Sequence, residues 1–266
     1  MALWQTTRFR LDLTRPLVMG IVNNTPDSFS DGGHHHSVTA ALRHAEKLLK
    51  DGAHILDIGG ESTRPGSPPV PLEEEMRRVL PFVQAAVQFG VPISVDTYKA
   101  QVMQAVLDAG ADIINDVWAL RQPGAQSVVA NHPHCGVVLM HMHKTPQDMQ
   151  QTPMQGDAVA QVQNFLAQQT QALLALGVER QRIVWDYGIG FGKTVAQNFA
   201  LLAQQAALTR QGFALLAGWS RKSSLGQVTN RPVEERMVPS VAAAVLAVER
   251  GARIVLADPR VTDLGR

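Results

Sequence analysis

Side chains able to hold and polarise a small molecule recur in this 266-residue chain at one kind of place. Asn23, Asp57, Asp96, Asn115 with Asp116, His141, Asp186, and the triplet Ser220, Arg221, Lys222 each close a short apolar run. A single Asp or Asn in such a spot is an ordinary cap for a following helix. Polar groups at seven of eight run ends exceed what capping requires and predict a shared polar pocket. Three loops add to it. Residues 24–33 and 59–66 are rich in glycine and small polar groups, as loops that close over a substrate are. Arg64 in the second offers a planar fork for phosphate or carboxylate. The third, residues 186–193, carries a G-x-G-x-G run. Such a run alone is weak evidence and lacks a dinucleotide fingerprint. Placed after Asp186, its glycines let a flat ligand approach the backbone. Lys222, beside the N–H groups of a helical turn opening at Ser223, suits an anionic or carbonyl oxygen.

The apolar runs that carry these groups read as strands over Leu17–Asn23, Ile55–Gly59, Pro92–Asp96, Ile113–Asp116, Val137–His141, Ile183–Asp186, Ala214–Gly218 and Arg253–Leu256. Most are continuously apolar, as in a parallel sheet covered on both faces. Between them, apolar residues at 3.6-residue spacing predict helices over Val38–Lys50, Leu72–Phe89, Lys99–Ala109, Ala125–Asn131, Ala158–Leu176, Val195–Gln211 and Glu234–Glu249. A Gly-Ala join recurs at Gly52, Gly110 and Gly251, each a helix C-cap just ahead of the next strand. Alternating strands and helices of this number predict an α/β fold, a (β/α)8 TIM barrel, in one domain spanning residues 1–266. In that architecture the strand C-termini form the active-site face. Phe9–Leu13 with Arg15 and Pro16 predicts a small hairpin across the barrel bottom. After Leu256 ten residues remain, Pro259 among them, so the eighth helix reads as truncated.

Composition excludes several classes. A net charge of +1 gives no bulk attraction to nucleic acid or membrane, and no apolar stretch reaches the length of a membrane span. The N-terminus does not read as a secretory leader, and the lone Cys135 excludes an internal disulfide and fits a reducing cytoplasm. Cys135 itself reads as buried filler. His34, His35 and His36 read as a solvated loop stretch rather than a metal site. Lys193 reads as a solvated loop charge and Asp57 as a supporting group. His141 either lines the pocket or packs structurally.

At this point the motifs resemble a known family. Met19–Asn23 with Thr25–Gly33 is similar to the opening signature of the dihydropteroate synthases, and Asp57–Gly66 to their second. Ser94–Thr97, Ile114–Asp116, Leu139–Met142, Gly190–Lys193 and Ser220–Ser223 continue the likeness in the same order, from about Leu17 to Ile254. The resemblance implies condensation of 6-hydroxymethyl-7,8-dihydropterin pyrophosphate with p-aminobenzoate, giving 7,8-dihydropteroate and pyrophosphate, and inhibition by sulfonamides. It implies that Asp186, Asn115 and Lys222 grip the pterin edge, with Asp96 stabilising the cationic methylene left when pyrophosphate departs. Asn23 resembles the family's Mg²⁺ ligand, the ion also holding pyrophosphate oxygens. Ser62, Thr63 and Arg64 would handle the phosphates. Phe29, Thr63, Pro65 and Phe191 would form the slot for aminobenzoate, its carboxylate near Ser223. No side chain need act as a nucleophile, since positioning and charge stabilisation carry such a reaction. The expected partners are these small molecules, with neither nucleic acid nor membrane; the resemblance also implies a homodimer, though the eighth helix that helps to form it in the family is the one that reads as truncated here.

Five positions depart from the family pattern. Tyr187 stands for a proline, Trp219 for a smaller residue, and Pro239 for a glycine inside the last helix. The family's strand-eight Arg-x-His, which contacts pyrophosphate, is replaced by Leu256 and Asp258. These two motivate a second reading, a pterin-binding protein with impaired or no synthase activity. A third, a pterin-dependent methyltransferase domain, shares the barrel and the pterin grip, but the aminobenzoate slot argues against it.

Overall fold

The structure, a computed structural model, describes residues 3–23, 33–63, 66–146, 148–149 and 151–257. Eight parallel strands close into a barrel: β3 (Leu17–Asn23), β4 (Ile55–Gly59), β5 (Ile93–Asp96), β6 (Ile113–Asp116), β7 (Gly136–Met140), β8 (Ile183–Asp186), β9 (Ala214–Ala217) and β10 (Ile254–Ala257). Each pairs with the next, and β10 returns to β3 with Ile254 opposite Leu17. The helices are α1 (Gly33–Lys50), α2 (Leu72–Ala86), α3 (Ala100–Asp108), α4 (Ala125–Asn131), α5 (Ala158–Ala175), α6 (Val195–Ala203), α7 (Gln205–Thr209), α8 (Ser223–Thr229) and α9 (Met237–Glu249).

Side-chain alternation sorts each strand into two layers. Met19, Ile55, Ile113, Val138, Val184, Leu216 and Ile254 fill the barrel interior, while Leu56, Ile58, Ile114, Val137, Leu139 and Trp185 pack outward against the helices. A short hairpin of β1 (Leu3–Gln5) and β2 (Arg10–Asp12) plugs the bottom, with Trp4 joining the interior layer and donating from Nε1 to the Arg182 carbonyl at 2.9 Å. Arg8 latches it, its Nε and Nη2 reaching the buried Asp112 carboxylate at 3.0 and 2.6 Å. The hairpin therefore begins earlier than Phe9.

Local chemistry sets the helix ends. Asp157 caps α5 by accepting from the amides of Val159 and Ala160, and Thr194 opens α6 in a capping box with Gln197. Gly52, Gly110 and Gly251 share φ near 100° (99°, 101° and 100°), a conformation that side chains with a Cβ resist. Several boundaries differ from expectation, α2 among them, which ends at Ala86 before a 3-10 turn over Val87–Phe89. Helix α1 starts at Gly33, before Val38, so the backbone of residues 34–36 is helical rather than loop. The stretch 195–211 breaks at Gln204 into α6 and α7, and a further helix, α8, follows Lys222. Helix α9 begins at Met237, after a 3-10 turn over Val233–Glu235. Pro239 is thus the third residue of the helix, where its missing N–H has no intrahelical acceptor to lose, so it breaks no helical hydrogen bond. Asp258 and the tail lie outside the described residues, as do Phe29, Arg64 and Pro65. No helix among the described residues is long and apolar enough to cross a membrane.

Candidate active site

The strand ends open into a cavity of about 980 Å³. Alternation decides which polar ends reach it. Asn23, Asp57, Asp96, Asn115 and Asp186 all fall on inward positions and line the cavity, joined by Lys222, Ser62, Thr63, Phe191 and Ser223. Asp116 and His141 fall on outward positions and leave the set. The Asp116 carboxylate instead accepts from the backbone N–H groups of Trp118 (2.8 Å) and Leu120 (2.7 Å), an ordinary turn cap. His141 packs edge-on against Phe165 of α5 with ring centroids 5.0 Å apart, which makes it a packing residue kept neutral by burial.

Within the cavity the charged groups are desolvated and face one another. Asn115 donates from Nδ2 to Asp57 at 3.1 Å, so Asp57 supports Asn115 from behind. One carboxylate oxygen of Asp57 and one of Asp96 are buried without a hydrogen-bond partner. Burial, then repulsion from Asp57, pushes Asp96 well above the usual carboxylate range. Asp186 is held by the Gly188 N–H at 2.7 Å, and burial still raises it to about 6. Lys222 is lowered by burial to about 8 against the attraction of Asp186 and Asp96, and its ammonium stands 4.4 Å from the centre of the Phe191 ring.

An anion and a cation with these values give a pH window. Gripping a ligand edge that needs both charges fails as Asp186 gains a proton and as Lys222 loses one. Affinity for such a ligand is expected to pass through a maximum between about pH 6 and 8 and to fall on both sides. Titration calorimetry across pH 5–9 reads this, and a flat profile would remove one of the two groups from the contact.

The loop after β8 depends on a residue that sequence reasoning misplaced. Lys193 is no solvated charge: it is 3% exposed, and its ammonium donates to the carbonyls of Gly188 (2.7 Å), His141 (3.2 Å) and Phe191 (3.2 Å). Gly188 has φ 65°, and a Cβ there would stand 2.0 Å from the His141 carbonyl oxygen, so glycine is obligatory. Sequence reasoning also passed over Glu61, which lines the cavity. It accepts from the Tyr98 hydroxyl at 2.9 Å and from Lys99, whose ammonium is shared with the buried Glu75. Against desolvation, these carboxylates hold Lys99 above its ordinary value. The signal was available in part, since Glu61 sits inside the second signature and Lys99 three residues beyond Asp96. Arg236 also lines the cavity, and no motif announced it.

A large cavity over the C-terminal ends of a parallel barrel, with an acid, an amide and a lysine in its lining, has the form of a ligand-binding enzyme site. The profile of the pterin binding enzymes matches residues 19–258, and the chain belongs to that family. Relatives narrow the likeness. The dihydropteroate synthase of Neisseria meningitidis serogroup B is 47% identical over 258 residues, covering 95% of this chain and 90% of that protein. Among solved structures, the Xanthomonas albilineans dihydropteroate synthase with 4-aminobenzoic acid superposes with a TM-score of 0.89 at 49% identity, covering 96% of this chain and 92% of the other. The Burkholderia cenocepacia dihydropteroate synthase complexed with 7,8-dihydropteroate gives 0.88 at 49% identity, covering 99% and 93%.

Proposed function

We propose that this protein is an active dihydropteroate synthase, condensing 6-hydroxymethyl-7,8-dihydropterin pyrophosphate with p-aminobenzoate to give 7,8-dihydropteroate and pyrophosphate. The observation that carries the reading is the convergence of Asp186, Asn115, Lys222 and Asp96 in one cavity. Asp186 accepts the ring N–H and exocyclic amine of the pterin together, a charge-assisted pair. Lys222 donates to the pterin carbonyl, and Asn115, steadied by Asp57, meets the remaining edge. Departure of pyrophosphate breaks the methylene C–O bond and leaves a cationic carbon, whose charge favours the anionic form of Asp96 that stabilises it; the aminobenzoate nitrogen then bonds to that carbon and gives up a proton. The aminobenzoate ring rests on Phe191 under Lys222, with Thr63 beside it and Ser223 toward its carboxylate. Ser62 and Thr63 face the phosphates. Phe29, Arg64 and Pro65 complete these subsites in our reading.

The donor set fits Mg²⁺ as a lightly held ion. Asn23 offers an amide oxygen at the cavity wall, and among the described residues no group of three His, Cys, Asp or Glu forms an all-protein metal site. Such an ion takes most of its ligands from water and substrate oxygens. When bound, it neutralises charge on the leaving pyrophosphate. The exposed apolar residues Val228 of α8 and Val238, Val245 and Leu246 of α9 support a homodimer formed on that face. Sedimentation velocity is expected to give the mass of two chains, and a monomer at tens of micromolar would remove this assignment.

Leu256 favours the second reading, a pterin-binding protein of little turnover. It lines the cavity on an inward position of β10 where a phosphate-binding arginine would have served. One experiment separates the two: pyrophosphate release from the dihydropterin pyrophosphate with Mg²⁺, with and without p-aminobenzoate. Aminobenzoate-dependent release that a sulfonamide suppresses supports the synthase. Pterin binding with no release supports the second reading.

A further inference from the structure

The two residues that depart from the family pattern at the exits of β8 and β9 touch each other. Tyr187 and Trp219 both fall on outward positions, and both are fully buried between barrel and helices. The indole Nε1 of Trp219 donates to the Tyr187 hydroxyl at 3.3 Å. That hydroxyl donates to Gln205 Oε1 at 2.9 Å, and Gln205 Nε2 donates to the Ala247 carbonyl at 2.8 Å. The indole is a donor only, so the direction of the whole relay is set from that end. A complete chain of this kind in a dry interior orders the groups that make it, because breaking any link strands a buried polar atom.

The place of this chain matters more than its strength. The ladder between β8 and β9 ends at the pair Asp186–Leu216. Beyond it no ladder pair joins the two exits, and in the pterin reading both carry the grip on the ligand. Tyr187 follows Asp186 directly. Trp219 opens the turn that presents Lys222, whose backbone N–H donates to the Trp219 carbonyl at 3.3 Å. That turn contains Arg221 with φ 55°, a conformation costly for an arginine, so it needs outside support. Ser240 Oγ accepts from the Arg221 N–H at 2.9 Å, and Arg236 Nη1 donates to the Arg221 carbonyl at 3.2 Å. On the barrel side, support comes from the Trp219 ring, which bonds to the Tyr187 hydroxyl and packs on Phe199 with the Trp219 and Phe199 centroids 5.3 Å apart.

We propose that Tyr187 and Trp219 are positioning residues of the pterin grip: their hydrogen bond holds the exits of β8 and β9 at the spacing that presents Asp186 and Lys222 to one ligand edge. They touch no substrate and act through their neighbours. The inference rests on the pterin reading of the cavity and deepens it.

The test is a double-mutant cycle of Tyr187→Phe, which keeps the ring and removes both bonds of its hydroxyl, and Trp219→Phe, which keeps an aromatic ring but gives up the indole N–H together with part of its volume. KM is measured separately for the dihydropterin pyrophosphate and for p-aminobenzoate. Affinity for the dihydropterin pyrophosphate is measured by calorimetry with Mg²⁺, and melting temperature alongside. Each single variant is expected to raise the pterin KM five- to tenfold and to weaken pterin binding equally, with the aminobenzoate KM within twofold of the parent. The double variant is expected to fall short of the summed effects of the two single ones, since the Trp219–Tyr187 bond is lost in each. Unchanged pterin affinity, or equal rises in both KM values tracking a lower melting temperature, would overturn the proposal in favour of plain core packing. Should Trp219→Phe not fold, Tyr187→Phe alone decides by the same split. Failure of the parent protein to bind pterin would instead strike the functional reading on which the proposal stands.

Discussion

Asp186→Asn is expected to weaken binding of the dihydropterin substrate roughly a thousandfold while leaving the fold intact. The carboxylate stands on an inward position at the last ladder pair of β8, 5% exposed, with one oxygen already fixed by the Gly188 N–H at 2.7 Å. An asparagine in the same shape would give its only oxygen to that N–H. Its NH2 group would then face the two N–H groups of the pterin, donor against donor. Two charge-assisted bonds are lost and an unfavourable contact replaces them, about 4 kcal/mol in all, or three powers of ten in affinity. The control is Asp116→Asn. Asp116 has the same chemistry and also ends its strand, yet it points outward to cap Trp118 and Leu120. That change is expected to lower the melting temperature by a few degrees and to move the pterin dissociation constant by less than twofold. Calorimetry on both variants decides the matter. Equal losses would mean that strand alternation does not define the site.

The contrast between those two aspartates also marks how far the site is legible from residues alone. Eight apolar runs closed by polar groups are enough to place a barrel and a pocket at its C-terminal face, because a parallel sheet covered on both sides leaves only its ends for chemistry. Alternation then sorts the polar ends, and applied strictly it assigns Asp116 and His141 outward before any coordinates are seen. What pattern does not carry is the partner of a long side chain. Lys193 follows a glycine-rich stretch and reads as solvated, but the three positive-φ glycines Gly188, Gly190 and Gly192 fold the loop back so that carbonyls surround the ammonium. Pro239 reads as a helix breaker only while the helix start is misplaced by three residues, since a 3-10 turn at Val233 is invisible to 3.6-residue periodicity. Tyr187 and Trp219 read as two separate anomalies. Their contact depends on how far apart two neighbouring strands end, a tertiary quantity. Glu61 likewise needed the position of Lys99 and Glu75, which come from β5 and α2 sides of the barrel.

Lys193→Met is expected to destabilise the protein and to damage the aminobenzoate subsite more than the pterin grip. The ammonium has three hydrogens and meets three carbonyls, those of Gly188, His141 and Phe191. Methionine fills similar volume but leaves these acceptors buried and unmet. At about 1 kcal/mol or more for each orphaned acceptor, the loss is about 3 kcal/mol. In a domain of this size that is roughly a 6–12 °C fall in melting temperature. The pH dependence has a definite sign. Burial lowers Lys193 from 10.5 to about 7, so between those values the unfolded chain binds more protons than the folded one. The group therefore opposes folding most below about pH 7, and that opposition fades as pH rises toward 10.5. The variant lacks this slope, so its stability deficit should widen from pH 7 to pH 9. Function follows the loop: Phe191 carries one of the three carbonyls and also the ring beneath Lys222. A KM for p-aminobenzoate raised about tenfold, with the pterin KM rising less, is the expected kinetic signature of about 1.4 kcal/mol lost at that ring. Thermal unfolding at several pH values and steady-state kinetics in each substrate test both halves. A melting temperature within two degrees of the parent and an unchanged aminobenzoate KM would show that water replaces the ammonium without cost, and that other contacts shape the slot.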